Sequence, residues 1–337
     1  MRTKAREYAR LIRPYGLLFS CFIPVFGALC NSETHFFRLV LLLTIGVLTH
    51  VFGFVQNDYF DVDVDRESPY VVKRPLAIGS ISKKEAMILS LSPLILSLLV
   101  AGVFLYTLFS FSILVVTFGL MTLYNKYSKQ LFGVEYLLGA GIFTFTIFGG
   151  LTVSDSISIL VIIIGGVWMM QWLFSVGVFA NLKDVPYDIK RNIRTTPTIL
   201  GVYVQNDTVY LSNLFKGYAF GLKTLHIIIA GLPFLIGYSS IYVYSLPIPL
   251  ICFIFLAFIL LYLVSKILST PFNQRDRLLI YEGLQEGLAF LLVPIVLISY
   301  LIELIGIIQS ILLIVLFITW PLVSLRILYG KNMIPLE

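Results

Sequence analysis

The chain has 337 residues, 58% of them hydrophobic and only 12% charged, and a mean hydropathy of +0.94. A soluble domain carries roughly twice that share of charge, so a disordered chain, a collagen-like fibre, a disulfide-rich secreted scaffold and an ordinary water-soluble enzyme are excluded. The net charge of +6 calls for no nucleic-acid partner, because basic residues in a membrane protein set topology or meet phosphates and acidic headgroups.

In chain order, ten apolar runs approach the roughly 20 residues that cross a hydrocarbon core: about 14–31, 36–56, 85–105, 107–124, 134–153, 158–179, 224–242, 246–268, 283–302 and 305–327. The last two are joined so tightly that nine is the alternative count. This predicts an all-α, polytopic transmembrane bundle of nine or ten helices in one domain over 1–337, with the motifs in 8–205 and further helices in 206–337. The first run follows Arg2, Lys4, Arg6, Arg10 and Arg13 but lacks a small-residue cleavage pattern, so it reads as an uncleaved helix. Cys21, Cys30 and Cys252 lie in apolar runs without metal spacing and read as packing residues.

Orientation follows from Lys and Arg in the loops. Of 24 such residues, all but Arg38 fall at the N-terminus, in 57–84, in 125–133, in 180–223, around 266–277 or near the C-terminal end. Both termini and the long loops are therefore expected on the cytoplasmic side of the cell membrane. Lys83, Lys84, Lys216 and Lys223 read as topogenic charge.

Carboxylates beside a span are costly and point to function. They cluster twice, each time at the cytoplasmic end of a run: Asn57, Asp58, Asp61, Asp63 and Asp65 after the second, and Asn181, Asp184 and Asp188 after the sixth. If each helix continues past the lipid, residues three, four or seven apart share a face. Asn57, Asp58, Asp61 and Asp65 then point one way and Asp63 another. Asn181, Asp184 and Asp188 repeat the three-and-four spacing as a weak internal repeat. Crowded carboxylates need a cation, and oxygen donors without His or Cys suit Mg²⁺ or Mn²⁺, which bind one or two carboxylates plus substrate phosphates. An EF-hand fits poorly, because its glycine and terminal glutamate are absent. Each cluster is followed by an arginine and a proline-marked turn, Arg74-Pro75 and Arg194-Thr195-Thr196-Pro197. The planar arginine fork suits phosphate, and Lys129 and Lys183 add point charges. His50, Asn181 and Glu286 are candidate lining residues; His50 also reads as helix packing and Glu286 as an interfacial charge.

The pattern Asn57-Asp58-x-x-Asp61-x-x-x-Asp65 with Asp184-x-x-x-Asp188 resembles the UbiA superfamily of intramembrane prenyltransferases, supported by Arg13-Pro14, Arg74-Pro75-Leu76, the Tyr124/Lys129 loop and Arg194-Thr195-x-Pro197. The resemblance implies a bundle around a central cavity open to lipid, in which Mg²⁺ and a prenyl diphosphate are held by both motifs and the prenyl cation passes to an acceptor. On that pattern Asn57, Asp61, Asp65, Asp184 and Asp188 hold the metal, Arg13, Arg74, Lys129, Lys183 and Arg194 contact the diphosphate, and Asp58 assists. Asn181, Phe179, Gln130 and Glu135 depart from the family pattern. A hydrophobic aromatic quinone precursor is the first acceptor expected. A glycerol-phosphate ether lipid or sugar phosphate, internal cyclisation of the prenyl chain, and ion transport are the alternatives.

Overall fold

The structure, a computed structural model, describes residues 4–68, 71–206, 208–238, 242–243 and 246–333. Arg2 and positions 239–241 of the seventh run lie outside the described residues. The helices are α1 (Lys4–Ile12), α2 (Leu17–Cys30), α3 (Phe36–Asp65), α4 (Lys83–Phe104), α5 (Leu108–Tyr127), α6 (Glu135–Leu151), α7 (Ile159–Leu173), α8 (Asn181–Lys190), α9 (Thr196–Ile199), α10 (Asn213–Leu235), α11 (Ile248–Ser269), α12 (Arg275–Val296), α13 (Ile298–Ile305) and α14 (Ile307–Tyr329). A π-helical segment, Phe174–Ala180, runs without a break from α7 into α8. Two short hairpins, Tyr203–Gln205 with Thr208–Tyr210 and Tyr242–Val243 with Leu246–Pro247, are the β-structure found among the described residues.

Nine helical stretches among the described residues are long and apolar enough to cross a membrane, and α6, at 17 residues, is a shorter tenth apolar helix. The chain is thus a multi-pass membrane protein, and both expected counts have a counterpart. The last two runs are separate helices, parted by α13 and by Gly306 at φ 91°. The seventh differs most: α10 begins at Asn213, capped by the Ser212 hydroxyl, and runs straight through Lys223. The expected run stops short of that lysine, but the helix carries it inside an apolar span and the fold buries it completely. α12 likewise starts earlier than its run, because Arg277, Glu282 and Glu286 interrupt the apolar pattern without interrupting the helix.

The core is a layer of buried aromatic and aliphatic side chains, among them Phe26, Phe52, Phe145, Phe148, Trp168 and Phe290. Exposed Leu, Ile and Phe side chains cover the outer faces of α4, α11 and α14, as lipid contact requires. At the centre α2 crosses α6 with backbones nearly touching. A Cβ at Gly149 would overlap the Pro24 carbonyl, and one at Gly27 would overlap the Thr146 carbonyl. Small residues permit this approach, which in lipid contributes through packing and weak polar contacts. Gly149→Ala should therefore lose about 1–3 kcal/mol of stability, read as a lower melting temperature in detergent. An unchanged melting temperature would show that the crossing has slack.

Candidate active site

α3 continues four turns beyond its apolar centre, so its last two turns carry the first acidic motif outward on a single helix. α8 does the same for the second motif. The two ends lie side by side: Tyr187 Oη donates to Val64 O at 3.0 Å, and Arg191 pairs with Glu67. Both face a cavity of about 210 Å³. Its polar end is lined by Arg13, His50, Asn57, Asp61, Asp65, Arg74, Lys129, Asn181, Lys183 and Asp184, and its depth by apolar side chains including Ile23, Phe54, Met121, Ile142, Phe145, Trp172 and Val176.

The carboxylates are held by cations. Arg74 Nη1 lies 2.7 Å from Asp65 Oδ2 and 3.3 Å from Asp58 Oδ1, and Arg13 Nη2 lies 2.5 Å from the same Asp58 oxygen. Asp58 is 1% exposed and stands behind the cavity wall, where it orients two arginines. Lys129 Nζ sits 3.6 Å from Asp184 Oδ2 and 4.0 Å from Asp188 Oδ1, and Ser128 Oγ donates to Asp61 Oδ1 at 3.4 Å. Burial opposes the charge on Arg74, yet Asp58 and Asp65 outweigh it and raise its pKa. Burial likewise opposes the charge on Lys129, and Asp184, Asp188 and Asp61 more than reverse that effect. Both cations stay charged at any ordinary pH.

Asp63 points away, as its place in the helical register predicts: its side chain is 71% exposed and meets Arg66 and Lys83. Asp188 is fully buried, and neither of its oxygens has a hydrogen-bond partner among the described residues. Its place is just behind Asp184. His50 lines the cavity and also braces the chain, because Nε2 donates to Ile12 O at 2.8 Å, leaving Nδ1 to accept from Ser20 Oγ at 3.0 Å. That brace adjoins Arg13, whose left-handed backbone (φ 55°) costs on the order of 1–3 kcal/mol and turns the chain from α1 into the bundle.

Two expected residues lie elsewhere. Arg194 is solvent-exposed and does not line the cavity, because the turn after α8 directs it outward. Glu286 is also off the cavity lining; it accepts from Ser175 Oγ at 2.9 Å on the far side of the π-helical segment. Of the tryptophans, Trp172 lines the cavity, whereas Trp168 is fully buried in the core. Sequence reasoning passed over Asn125, Ser128 and Thr49, which also line it. Asn125 and Ser128 share a face with Tyr124 and Lys129 at the end of α5, which was the available signal.

The Arg74 turn is fixed from outside by α1. Glu7 and Arg10 form a buried pair at 2.8 Å; Arg10 Nη2 donates to Lys73 O at 2.8 Å, and Ser80 Oγ donates to Glu7 Oε2 at 3.2 Å. One ion pair thus grips both ends of the turn.

Among the described residues no three His, Cys, Asp or Glu groups gather tightly enough to hold a metal by themselves. The donor set nonetheless fits Mg²⁺, which takes oxygen ligands and completes its shell with substrate phosphate and water. Asp61, Asp65 and Asp184 open onto the cavity, and Asp188 offers oxygens that lack hydrogen bonds.

The sequence model of the UbiA prenyltransferase family matches residues 19–281. The digeranylgeranylglyceryl phosphate synthase of Saccharolobus solfataricus is 27% identical over 266 residues, covering 77% of this chain and 87% of that protein. The 4-hydroxybenzoate octaprenyltransferase of Shewanella halifaxensis is 31% identical over 121 residues, covering 31% of this chain and 42% of the relative. The solved structure of a UbiA homologue from Archaeoglobus fulgidus, bound to GPP and Mg²⁺, superposes with a TM-score of 0.59 at 18% identity, covering 85% of this chain and 99% of that one. The chain belongs to the UbiA prenyltransferase family. It is a membrane-embedded enzyme of the prenyltransferase class.

Because the Glu7–Arg10 pair holds the Arg74 turn, Arg10→Gln should weaken prenyl-diphosphate binding about tenfold, or about 1.4 kcal/mol. The acceptor KM should change less than twofold. Initial rates against each substrate in turn check this, and equal loss toward both would assign the pair a general structural role.

Proposed function

We propose that the enzyme transfers a prenyl group from a prenyl diphosphate to a lipid-like acceptor, using Mg²⁺ (or Mn²⁺) bound between the two acidic motifs. The observation that carries this reading is that Asp61, Asp65 and Asp184, from two helices, open onto one cavity that also holds Arg13, Arg74, Lys129 and Lys183. Asn57, Asp61, Asp65, Asp184 and Asp188 would hold the metal, which would supply Lewis-acid charge to the leaving diphosphate. Arg13, Arg74, Lys129 and Lys183 bind the diphosphate oxygens, where charge grows as the carbon–oxygen bond breaks. The apolar depth of the cavity takes the prenyl chain and keeps water from the allylic cation. Phe54, Tyr124 and Trp172 offer ring faces to that cation. The acceptor's attacking atom then forms the new carbon bond and gives up its proton.

For the acceptor, the breadth of the match to the Saccharolobus synthase favours a glycerol-phosphate ether lipid. An aromatic quinone precursor, first in the reading of the sequence, is the second reading and is supported by the shorter Shewanella match. Incubation with Mg²⁺, labelled geranylgeranyl diphosphate and both acceptor types, followed by product mass, separates them. A prenylated aromatic product alone would reverse the order.

Activity should vanish in EDTA and return with Mg²⁺; turnover in a metal-free assay would sink the metal reading. Asp61→Ala and Asp184→Ala should each lose at least about 100-fold, or 2.7 kcal/mol of transition-state stabilisation. Asp63→Ala should stay near the parent rate.

We infer from the basic loops that the polar mouth of the cavity and both termini face the cytoplasm. Thiols introduced at the exposed Ser32 and Ser154 should react with an impermeant reagent from outside intact cells, and one at Ser82 only after lysis. External labelling at position 82 would invert the topology.

A further inference from the structure

Lys223 lies midway along α10 with no exposed surface. An ionisable side chain inside a membrane bundle is costly and rarely retained without a task. Its partners form a chain across three helices. Lys223 Nζ donates to Gln171 Oε1 at 2.5 Å, Gln285 Nε2 donates to the same oxygen at 3.2 Å, Gln171 Nε2 donates to Ser175 Oγ at 3.0 Å, and Ser175 Oγ donates to Glu286 Oε1 at 2.9 Å. The ammonium also lies 4.3 Å from the centre of the Phe174 ring. None of these residues lines the diphosphate cavity. They surround the point where α7 changes into the π-helical segment, whose first residue is Phe174.

That change of winding has a consequence for the site. Trp172, Val176, Ala180 and Asp184 all line the cavity, each four residues after the last. An α-helix turns about 100° per residue, so each step of four overshoots by about 40° and three steps by about 120°. Wound as α-helix throughout, this stretch would turn Asp184 well away from the line of Trp172. The looser i→i+5 turn takes up the drift, and Trp172, Val176 and Ala180 are the partly exposed residues of the stretch 171–180.

We propose that the Lys223–Gln171–Ser175–Glu286 network is a positioning device that holds the π-helical winding and so aims the second acidic motif into the cavity. The proposal rests on the reading of Asp184 as part of the metal–diphosphate site. Lys223 and Gln171 are positioning residues, since neither reaches the substrate.

The test is thiol reactivity toward a small maleimide in detergent, read by peptide mass, for Ala180→Cys and for Ser128→Cys after α5, a cavity-lining position assigned to neither metal nor diphosphate. In the parent background both thiols should react, and prenyl diphosphate with Mg²⁺ should protect both. Absence of protection at both sites would fail the underlying reading of the site without touching the winding. Adding Lys223→Met should cut ligand-free reactivity at position 180 at least threefold, leave position 128 unchanged, and weaken diphosphate binding with acceptor KM unaltered. Lys223→Arg should restore reactivity at 180. If Lys223→Met does not fold, Ser175→Ala breaks the same chain with a minimal change in volume and should lower reactivity at 180 about twofold. Unchanged ligand-free reactivity at 180 in the folded variant would overturn the proposal.

Discussion

Like charge crowded at one end of a membrane bundle is the constraint from which the rest of this structure follows. Asp58, Asp61, Asp65, Glu135, Asp184 and Asp188 stand on or just behind the walls of one cavity, among Arg13, Arg74, Lys129 and Lys183. Six carboxylates face four cations in a setting where water screens poorly. The carboxyl groups outnumber the cations, an arrangement suited to capture of a divalent ion. Arg74 and Lys129 are each placed between two carboxylates rather than paired with one.

Holding such a site requires stiffness around it. The acidic residues sit on continuous helices rather than loops, so their spacing is set by helix geometry. The loop that supplies Arg74 is gripped by α1 through Glu7 and Arg10, and the corner that supplies Arg13 is braced by His50. On the opposite wall Glu135 accepts from Thr196, tying the start of α6 to the turn that follows α8. Polar contacts of this kind cluster near the cavity mouth, whereas the bundle below is joined mainly by aromatic packing and the close crossing of α2 and α6.

Much of this was legible in the sequence because the 3.6-residue period carries through α3 without interruption. Asn57, Asp61 and Asp65 share a cavity-facing side and Asp63 lies off it, as spacing predicts, whereas Asp58, which the same spacing groups with them, stands behind the wall. The second motif was read with the same period and reached the right cavity, but the π-helical winding before it left no mark in composition. Arg194 was inferred from its resemblance to Arg74 in position after an acidic motif. A repeat in sequence does not fix the path of a turn, and this one leads outward. Lys223 was read as a loop charge because hydropathy counts a lysine as a cost and has no knowledge of Gln171 two helices away in the sequence. For Glu286 the sequence leaves cavity and interface both open, because it does not reveal the partner, Ser175, that holds it off the cavity lining.

The apparent repeat between the two motifs is also less symmetric than its spacing. In the first, Arg74 spans Asp58 and Asp65, two turns apart, with hydrogen-bonded contacts at 3.3 and 2.7 Å. Its planar fork suits that bridging, and its loss would strand the buried Asp65 carboxylate, while Asp58 would keep Arg13. In the second, Lys129 stands between Asp184 and Asp188 at 3.6 and 4.0 Å, beyond hydrogen-bond length. A lysine on a flexible stem at that distance holds its partners by charge, without a fixed hydrogen-bond geometry. Arginine therefore makes the first motif a fixed wall, and lysine makes the second an adjustable one. On the proposed reading, a substrate that arrives with its metal would be positioned by the first side while the second adjusts to it.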